Sequence, residues 1–192
     1  MAHFYTNRCH TPGVVGDFNF LHNTTGYTLV TAIEKAQANP GNVAMSFIDT
    51  CGRNSLNIGF TLYYDNRSVI PATDRLGLFI ARGVSGAAFR NLQSANGALA
   101  GTGPFLIIVN FDGANTPTVR INGGAVGLPN NFGSFGTPSS ANHTFPMTEG
   151  KIASGSSEYF HGKKAFTAFM AQQTLTKIQE IEAHWMALLG IG

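Results

Sequence analysis

The residues able to do chemistry are few and scattered along this chain of 192 residues. Carboxylates stand at Glu34, Asp49, Asp65, Asp74, Asp112, Glu149 and Glu158, mostly beside turn-forming residues, and they form no run on one strand face. Glycoside hydrolysis needs two such groups, one to protonate the leaving oxygen and one to attack or to activate water. The closest acidic pair, Glu180 and Glu182, falls in a helical pattern near the C-terminus and reads as a solvated face. The six histidines offer no H-E-x-x-H and no tight ligand spacing. His22 and His161 lie beside apolar strand residues and are expected as satisfied core or rim side chains. Cys9 and Cys51 belong to no C-x-x-C pair, which speaks against zinc. Two reduced thiols are expected of them; a bridge would need the two segments adjacent, and that stays open. Gly133-Ser134-Phe135-Gly136 lacks the spacing of a nucleophile elbow, and no G-K-[ST] follows Gly123-Gly124. Lys163-Lys164 reads as solvated surface, not a phosphate site. Enzymatic activity is therefore disfavoured.

Binding chemistry is better represented. Gly127 to Gly150 is rich in Gly, Pro, Ser and Asn, with Phe132, Phe135, His143 and Phe145 set among them. A loop of that length without periodicity of its own is uncommon and often functional; the alternative left open is that its phenylalanines tuck back onto a sheet. Aromatic faces stack on sugar rings while amides hydrogen-bond hydroxyls. Asn130, Asn131, Phe132, Phe135, Asn142 and His143 are accordingly the candidate ligand contacts.

The elements that must position these residues read as strands. Ile58, Phe60, Leu62 and Tyr64 alternate with Gly59, Thr61 and Tyr63. Tyr27-Leu29-Thr31-Ile33, Val43-Met45-Phe47 and Leu76-Leu78-Ile80 repeat the pattern. Turn clusters separate them at Asn39-Pro40-Gly41, Cys51-Gly52-Arg53-Asn54, Asp65-Asn66-Arg67-Ser68 and Ala72-Thr73-Asp74. Phe105 to Phe111 is almost continuously apolar, as in a strand buried on both faces, and leads through Asp112-Gly113-Ala114-Asn115 to Thr118-Val119-Arg120-Ile121 and a turn at Asn122-Gly123-Gly124. Near the end, Thr176 and Gln179 fit a capping box, and Ile178, Ile181, Trp185, Leu188 and Leu189 recur at helical spacing before Gly190. This helix is expected to lay one apolar face on the sheets, with a neighbouring subunit as the alternative. Charged residues are 11% where about 25% is usual, and Gly is 23 of 192, which suits a β-rich, turn-rich chain. One domain over 1–192 is expected, an all-β antiparallel sandwich or barrel with a short C-terminal α-helix. Net charge is +2, too balanced to argue for a nucleic-acid or anionic-membrane partner. No apolar run reaches the length of a membrane span, and no basic-then-apolar secretory signal opens the chain. The glycosylation-like triplets at Asn23, Asn66 and Asn142 are then expected to be chance matches.

The order of the strands resembles the laminin G-like family. Gly103 to Gly113 followed by Thr118 to Gly124 is similar to its strand–turn–strand with "fDG" and "vNG" turns. Gly150 to Gly155 followed by Tyr159 to Phe166 resembles its "irIG … yFnG.iaev" segment, and Leu175 to Ile181 its closing "Ls.aEi" helix. Asp17 to His22 and Tyr27 to Val30 resemble opening strands seen in virus-encoded members. The resemblance implies a concanavalin A-like jelly roll, two packed antiparallel sheets. It further implies a non-catalytic binding or adhesion module on a virion surface or tail, assembled in the host cytoplasm and contacting glycans or another structural protein. The alternative is a capsid decoration or assembly subunit, homo-oligomeric or lattice-bound, using the first dozen residues and the Trp185 helix as contacts. Some family members bind calcium at a loop rim. Here Asp65, Asn66, Asp74 or Asp112 would have to supply the oxygens, none aligns with that site, and turn formation is expected of them.

Overall fold

The computed structural model describes residues 5–6 (backbone only), 11–23, 25–38, 41–54, 57–67, 73–82, 88–114, 117–135, 141–155 and 158–192. Its strands, in chain order, are β1 (Tyr5–Thr6), β2 (Tyr27–Lys35), β3 (Ala44–Asp49), β4 (Gly59–Asp65), β5 (Arg75–Ala81) and β6 (Phe89–Gln93). There follow β7 (Phe105–Phe111), β8 (Thr118–Ile121), β9 (Gly124–Val126), β10 (Asn130–Ser134), β11 (Thr148–Glu149), β12 (Gly162–Ala171) and the helix α1 (Leu175–Leu189). They form two six-stranded sheets, ordered β1-β12-β2-β7-β8-β9 and β10-β6-β5-β4-β3-β11. Every strand pair is antiparallel.

Alternation explains the packing. Tyr27, Leu29 and Ile33 of β2 and Phe105, Ile107, Val109 and Phe111 of β7 meet Met45, Phe47, Phe60, Leu62, Tyr64, Leu76, Leu78 and Ile80 of the other sheet in one core. Each such side chain, fully buried, is worth about 1.5–3 kcal/mol before entropy is set against it. The opposite sides of β2 and β7, Val30, Ala32, Leu106 and Ile108, are buried beneath Ile178, Ile181, Trp185, Met186 and Leu189 of α1. This is why Phe105–Phe111 reads as apolar on both faces. The β8–β9 hairpin turns at Asn122 (φ 48°) and Gly123 (φ 80°), the left-handed pair that a two-residue hairpin of this twist requires.

Several sequence expectations are corrected. The cap of α1 is Thr174, whose side chain accepts from the Lys177 N–H at 3.3 Å, so the box at Thr176 is not used. Leu188 is exposed, and Met186 takes its place on the apolar stripe. Glu182 is not on a solvated face: it is buried and accepts from Arg120 Nε at 2.7 Å, while Glu180 two residues away pairs with Lys177 in solvent. Lys164 is largely covered, against Glu149 at 2.7 Å, whereas Lys163 is exposed. The stretch Gly127–Gly150 is not one long loop, because it contributes an edge strand, β10, and a two-residue strand, β11. Cys51 is a buried free thiol, while Cys9, and with it the question of a bridge, lies outside the described residues. The first ten side chains, Thr24, Asn39-Pro40, Ser68 and Ala72 also lie outside them. No helix among the described residues is long and apolar enough to cross a membrane.

Candidate functional site

With α1 over the first sheet, the outer face of the second sheet is the one that carries polar chemistry. Residues directly opposite in antiparallel strands share a face, so the register fixes its rows. One row runs Ser46, Tyr63, Gly77, Gln93, Asn130 and the next Asp49, Thr61, Phe79, Asn91, Phe132, from β3 across to β10. Four strand spacings of about 4.8 Å make each row roughly 19 Å long. A third row adds Phe89, stacked on Phe79 with ring centroids 5.3 Å apart. Gly77 has a packing reason: a Cβ there would lie 2.1 Å from the Tyr63 ring, which extends across it. The Tyr63 hydroxyl donates to Asn91 Oδ1 at 2.7 Å and accepts from Gln93 Nε2 at 3.1 Å, which aligns rings and amides in one network.

The carboxylates on this face are mostly committed to structure. Asp49 is fully buried and accepts from the Cys51, Gly52 and Ala153 N–H groups and the Thr61 hydroxyl, at 2.7–2.9 Å. Burial pushes its pKa up and these four donors pull it back. Its effect is positional: it ties the end of β3 to the turn bearing Arg53 and to the segment leading to Glu158. Asp65 is buried and held by Arg67 through Nε at 2.9 Å and Nη2 at 2.8 Å, with Gln93 Nε2 at 3.2 Å. Arg53 lies with its guanidinium carbon 4.5 Å from the Tyr63 ring centroid and forms an ion pair with Glu158. Both partners hold left-handed backbone (φ 49° and 55°), a conformation costly for residues other than glycine. Burial raises the Glu158 pKa, against the pull of Arg53 and Arg67. Beside this pair opens a cleft of about 280 Å³ lined by Val43, Ala44, Met45, Glu158, Tyr159 and His161.

The six contacts expected from sequence divide. Asn130 and Phe132 belong to the polar face, at its β10 edge, and Phe132 is 55% exposed. Asn131 is exposed but lies opposite Leu92, in a row of the core side. Phe135 packs on the core beside Phe111, with Arg82 and Arg90 at 4.3 and 5.1 Å from its ring. Asn142 is exposed but its Oδ1 accepts from Asn19 Nδ2 at 2.8 Å. His143 is buried; its Nε2 accepts from the Gly16 N–H and its Nδ1–H donates to the Phe145 carbonyl. His143 is thus held inside the fold, and Phe135 is partly buried against its core. His22 is a core side chain and His161 a rim one. Sequence reading missed Tyr63, Asn91, Arg53, Glu158 and Tyr159. The signal for the first was present, since Thr61 and Tyr63 alternate with the apolar side of β4.

Among the described residues, those considered for calcium are engaged within the protein. Asp74 already receives Lys35 Nζ at 2.8 Å and the Tyr64 hydroxyl at 2.7 Å, and Asp65 receives Arg67. Asn66 donates to the Gly41 carbonyl and Asp112 caps its own turn through the Ala114 N–H. No group of three or more His, Cys, Asp or Glu among the described residues could hold a metal ion.

No protein-family model matches the chain, and no curated protein matches it. Solved structures do. The CBM40 carbohydrate-binding module of Ruminococcus gnavus IT-sialidase, bound to α2,3-sialyllactose, superposes with a TM-score of 0.58 at 11% identity, covering 94% of this chain and 98% of that one. The botulinum neurotoxin serotype C1 binding domain gives 0.60 at 10% identity, over 95% of this chain and 46% of that one. The leech intramolecular trans-sialidase complexed with 2,7-anhydro-Neu5Ac gives 0.58 at 12% identity, over 93% and 27%. The chain thus spans nearly all of the CBM40 module and under half of the other two. Identities this low show the fold alone: a concanavalin A-like β-sandwich.

Proposed function

We propose that the protein is a non-catalytic module that binds glycans along the accessible β10 edge of its second sheet. The observation that carries this reading is the β10 edge, where the exposed Phe132 ring lies two residues from Asn130 on one face, while the neighbouring acids Asp49 and Asp65 are spent on internal hydrogen bonds. Rings present CH-binding faces to sugars and amides satisfy their hydroxyls. Glu158 is the one acid of this group beside the cleft, and Asp49, fully buried, cannot reach a substrate as the second carboxylate that hydrolysis requires. The CBM40 match, itself a sugar-binding module of nearly the same extent, supports the same reading. A glycan array probed with the purified chain tests it. Binding to a defined set of glycans without release of reducing sugar is expected; an array without any binding overturns the binding role, and sugar release overturns the non-catalytic one. The virion setting, with glycans or another structural protein as partner, rests on the sequence resemblance and is proposed on that ground; copurification with particles tests it.

A further inference from the structure

The segment 14–23 carries no strand and is joined to the loop 141–145 through two imidazoles. Most of its backbone bonds close within itself: Asp17 N–H to Val14 O, Leu21 N–H to Phe18 O, His22 and Asn23 N–H to Asn19 O. Its ties across to the loop are side-chain bonds. The Gly16 N–H donates to His143 Nε2 at 3.1 Å, the His143 N–H to Asn19 Oδ1 at 3.1 Å, and Asn19 Nδ2 to Asn142 Oδ1 at 2.8 Å. From the segment side, His22 Nε2–H donates to the Ala141 carbonyl at 3.0 Å. The far end is pinned separately, by the fully buried Leu21 and by Arg82, which donates to His22 O at 2.8 Å and Asn23 O at 3.1 Å.

This bonding fixes both rings as neutral tautomers. A ring nitrogen that accepts from an N–H carries no proton, so His143 is bare at Nε2 and protonated at Nδ1, which donates to the Phe145 carbonyl at 2.5 Å. His22 donates through Nε2, and its Nδ1 is buried without a partner. A second proton on His143 would set two N–H donors against each other at Gly16; one on His22 would bury a donor with no acceptor. Among the described residues, the charged groups facing the rings are Asp17, toward His143, and Arg82, toward His22, and the rings face each other. Asp17 alone favours a cation, and its Oδ2 also accepts from the Val14 N–H at 2.9 Å. Burial outweighs it, so both histidines titrate below the ordinary value of 6.5.

We propose that this seam is a proton-operated latch: protonation of His143 and His22 releases residues 14–20 from the loop 141–145 while the sandwich stays folded, with residues 21–23 as the pivot. The strand ladders of both sheets contain none of the seam residues, so the seam is free to open as a local unit. What it covers is aromatic. Phe18 and Phe20 each stand 5.6 Å from Phe169 between ring centroids, and Phe20 stands 5.9 Å from Tyr27, so opening bares one end of the core.

Hydrogen exchange read by mass spectrometry from pH 7.5 to 4.5, corrected for intrinsic rates, tests the latch. Peptides from 14–20 and 141–145 are expected to lose about tenfold or more of their protection by pH 5.5, one unit below the ordinary histidine value, while β2 and β7 keep theirs. Protection unchanged with pH overturns the proposal, and so does an equal loss across the whole sandwich, which is global unfolding. The double variant His22→Gln, His143→Gln keeps a donor toward Ala141 and an acceptor toward Gly16 without a titrating ring. It is expected to hold its protection at pH 5.5; a loss equal to wild type overturns the role of the histidines. NMR titration of the two rings in wild type decides the same point where the variant does not fold. Ring midpoints coincident with the loss of protection are expected, and midpoints apart from it overturn the latch.

Discussion

Lys35 is 1% exposed, and its Nζ donates to Asp74 Oδ1 at 2.8 Å, Leu99 O at 2.6 Å and Ala38 O at 3.0 Å, above the Tyr64 ring. A buried cation is tolerated only when every donor is met, and removing it strands the acid it neutralises. Lys35→Met is expected to cost about 3–5 kcal/mol in urea unfolding. Two phenylalanines three residues apart separate binding from stability. Phe135→Ala removes a ring packed against Phe111 and two guanidinium groups and is expected to cost about 2–4 kcal/mol. Phe132→Ala, at an exposed edge, is expected to stay within about 0.5 kcal/mol of wild type, so any loss of glycan binding reports contact and not unfolding. The buried histidines give a pH dependence. Protonating His143 at Nε2 would break its bond from Gly16, and protonating His22 at Nδ1 would bury an N–H with no acceptor. Burial holds both below the ordinary value of 6.5, with Arg82 adding to the effect on His22 and Asp17 opposing it on His143. The unfolded chain therefore takes up protons near pH 6.5 that the folded chain refuses. Stability is expected to be full above that pH and to fall as pH drops below it; denaturation midpoints unchanged between pH 7.5 and 5 would contradict this.

Among the elements, α1 shows most clearly what local sequence can and cannot fix. Its stop at Gly190 (φ 70°) and its apolar stripe follow from spacing, and the stripe is completed by Trp185 stacked on Phe166 at 4.1 Å. The cap, however, is Thr174, so Thr174→Ala is expected to cost about 1 kcal/mol and Thr176→Ala only a few tenths, read by thermal melts of the two variants. The strands with clean alternation, β2, β3, β4 and β5, are visible in the sequence because one side of each is apolar, and β7 because both of its sides are. Others escape for physical reasons. β12 carries a register shift between Lys164 and Phe166 that breaks its period of two. β6 carries Asn91 and Gln93 beside Phe89 on its outer side and places Arg90 on the inner one, at the sheet end. β10 is an edge strand with Gly133 at φ 82°, where a Cβ would meet the Phe89 carbonyl at 2.3 Å, so its composition reads as loop.

At the scale of the molecule, the sandwich is closed by partners far apart in sequence: Tyr27 pairs with Ala171, and the edge of β3 is paired by Thr148–Glu149. Such long-range pairing must pay loop-closure entropy before contacts return it, so folding is expected in milliseconds to seconds, checked by stopped-flow refolding. The sequence by itself determined the fold class, the double burial of Phe105–Phe111 and the C-terminal helix. These follow from side-chain period and turn chemistry, which are local properties. Only the tertiary structure decided that Asp49, Arg53 and Glu158 share a corner, that Lys35 pairs with Asp74, that Glu182 is buried against Arg120, that His143 belongs inside, and that Phe135 leans on the core. Those outcomes depend on which strands become neighbours and in what register, and a period of two is the same for every choice of neighbour.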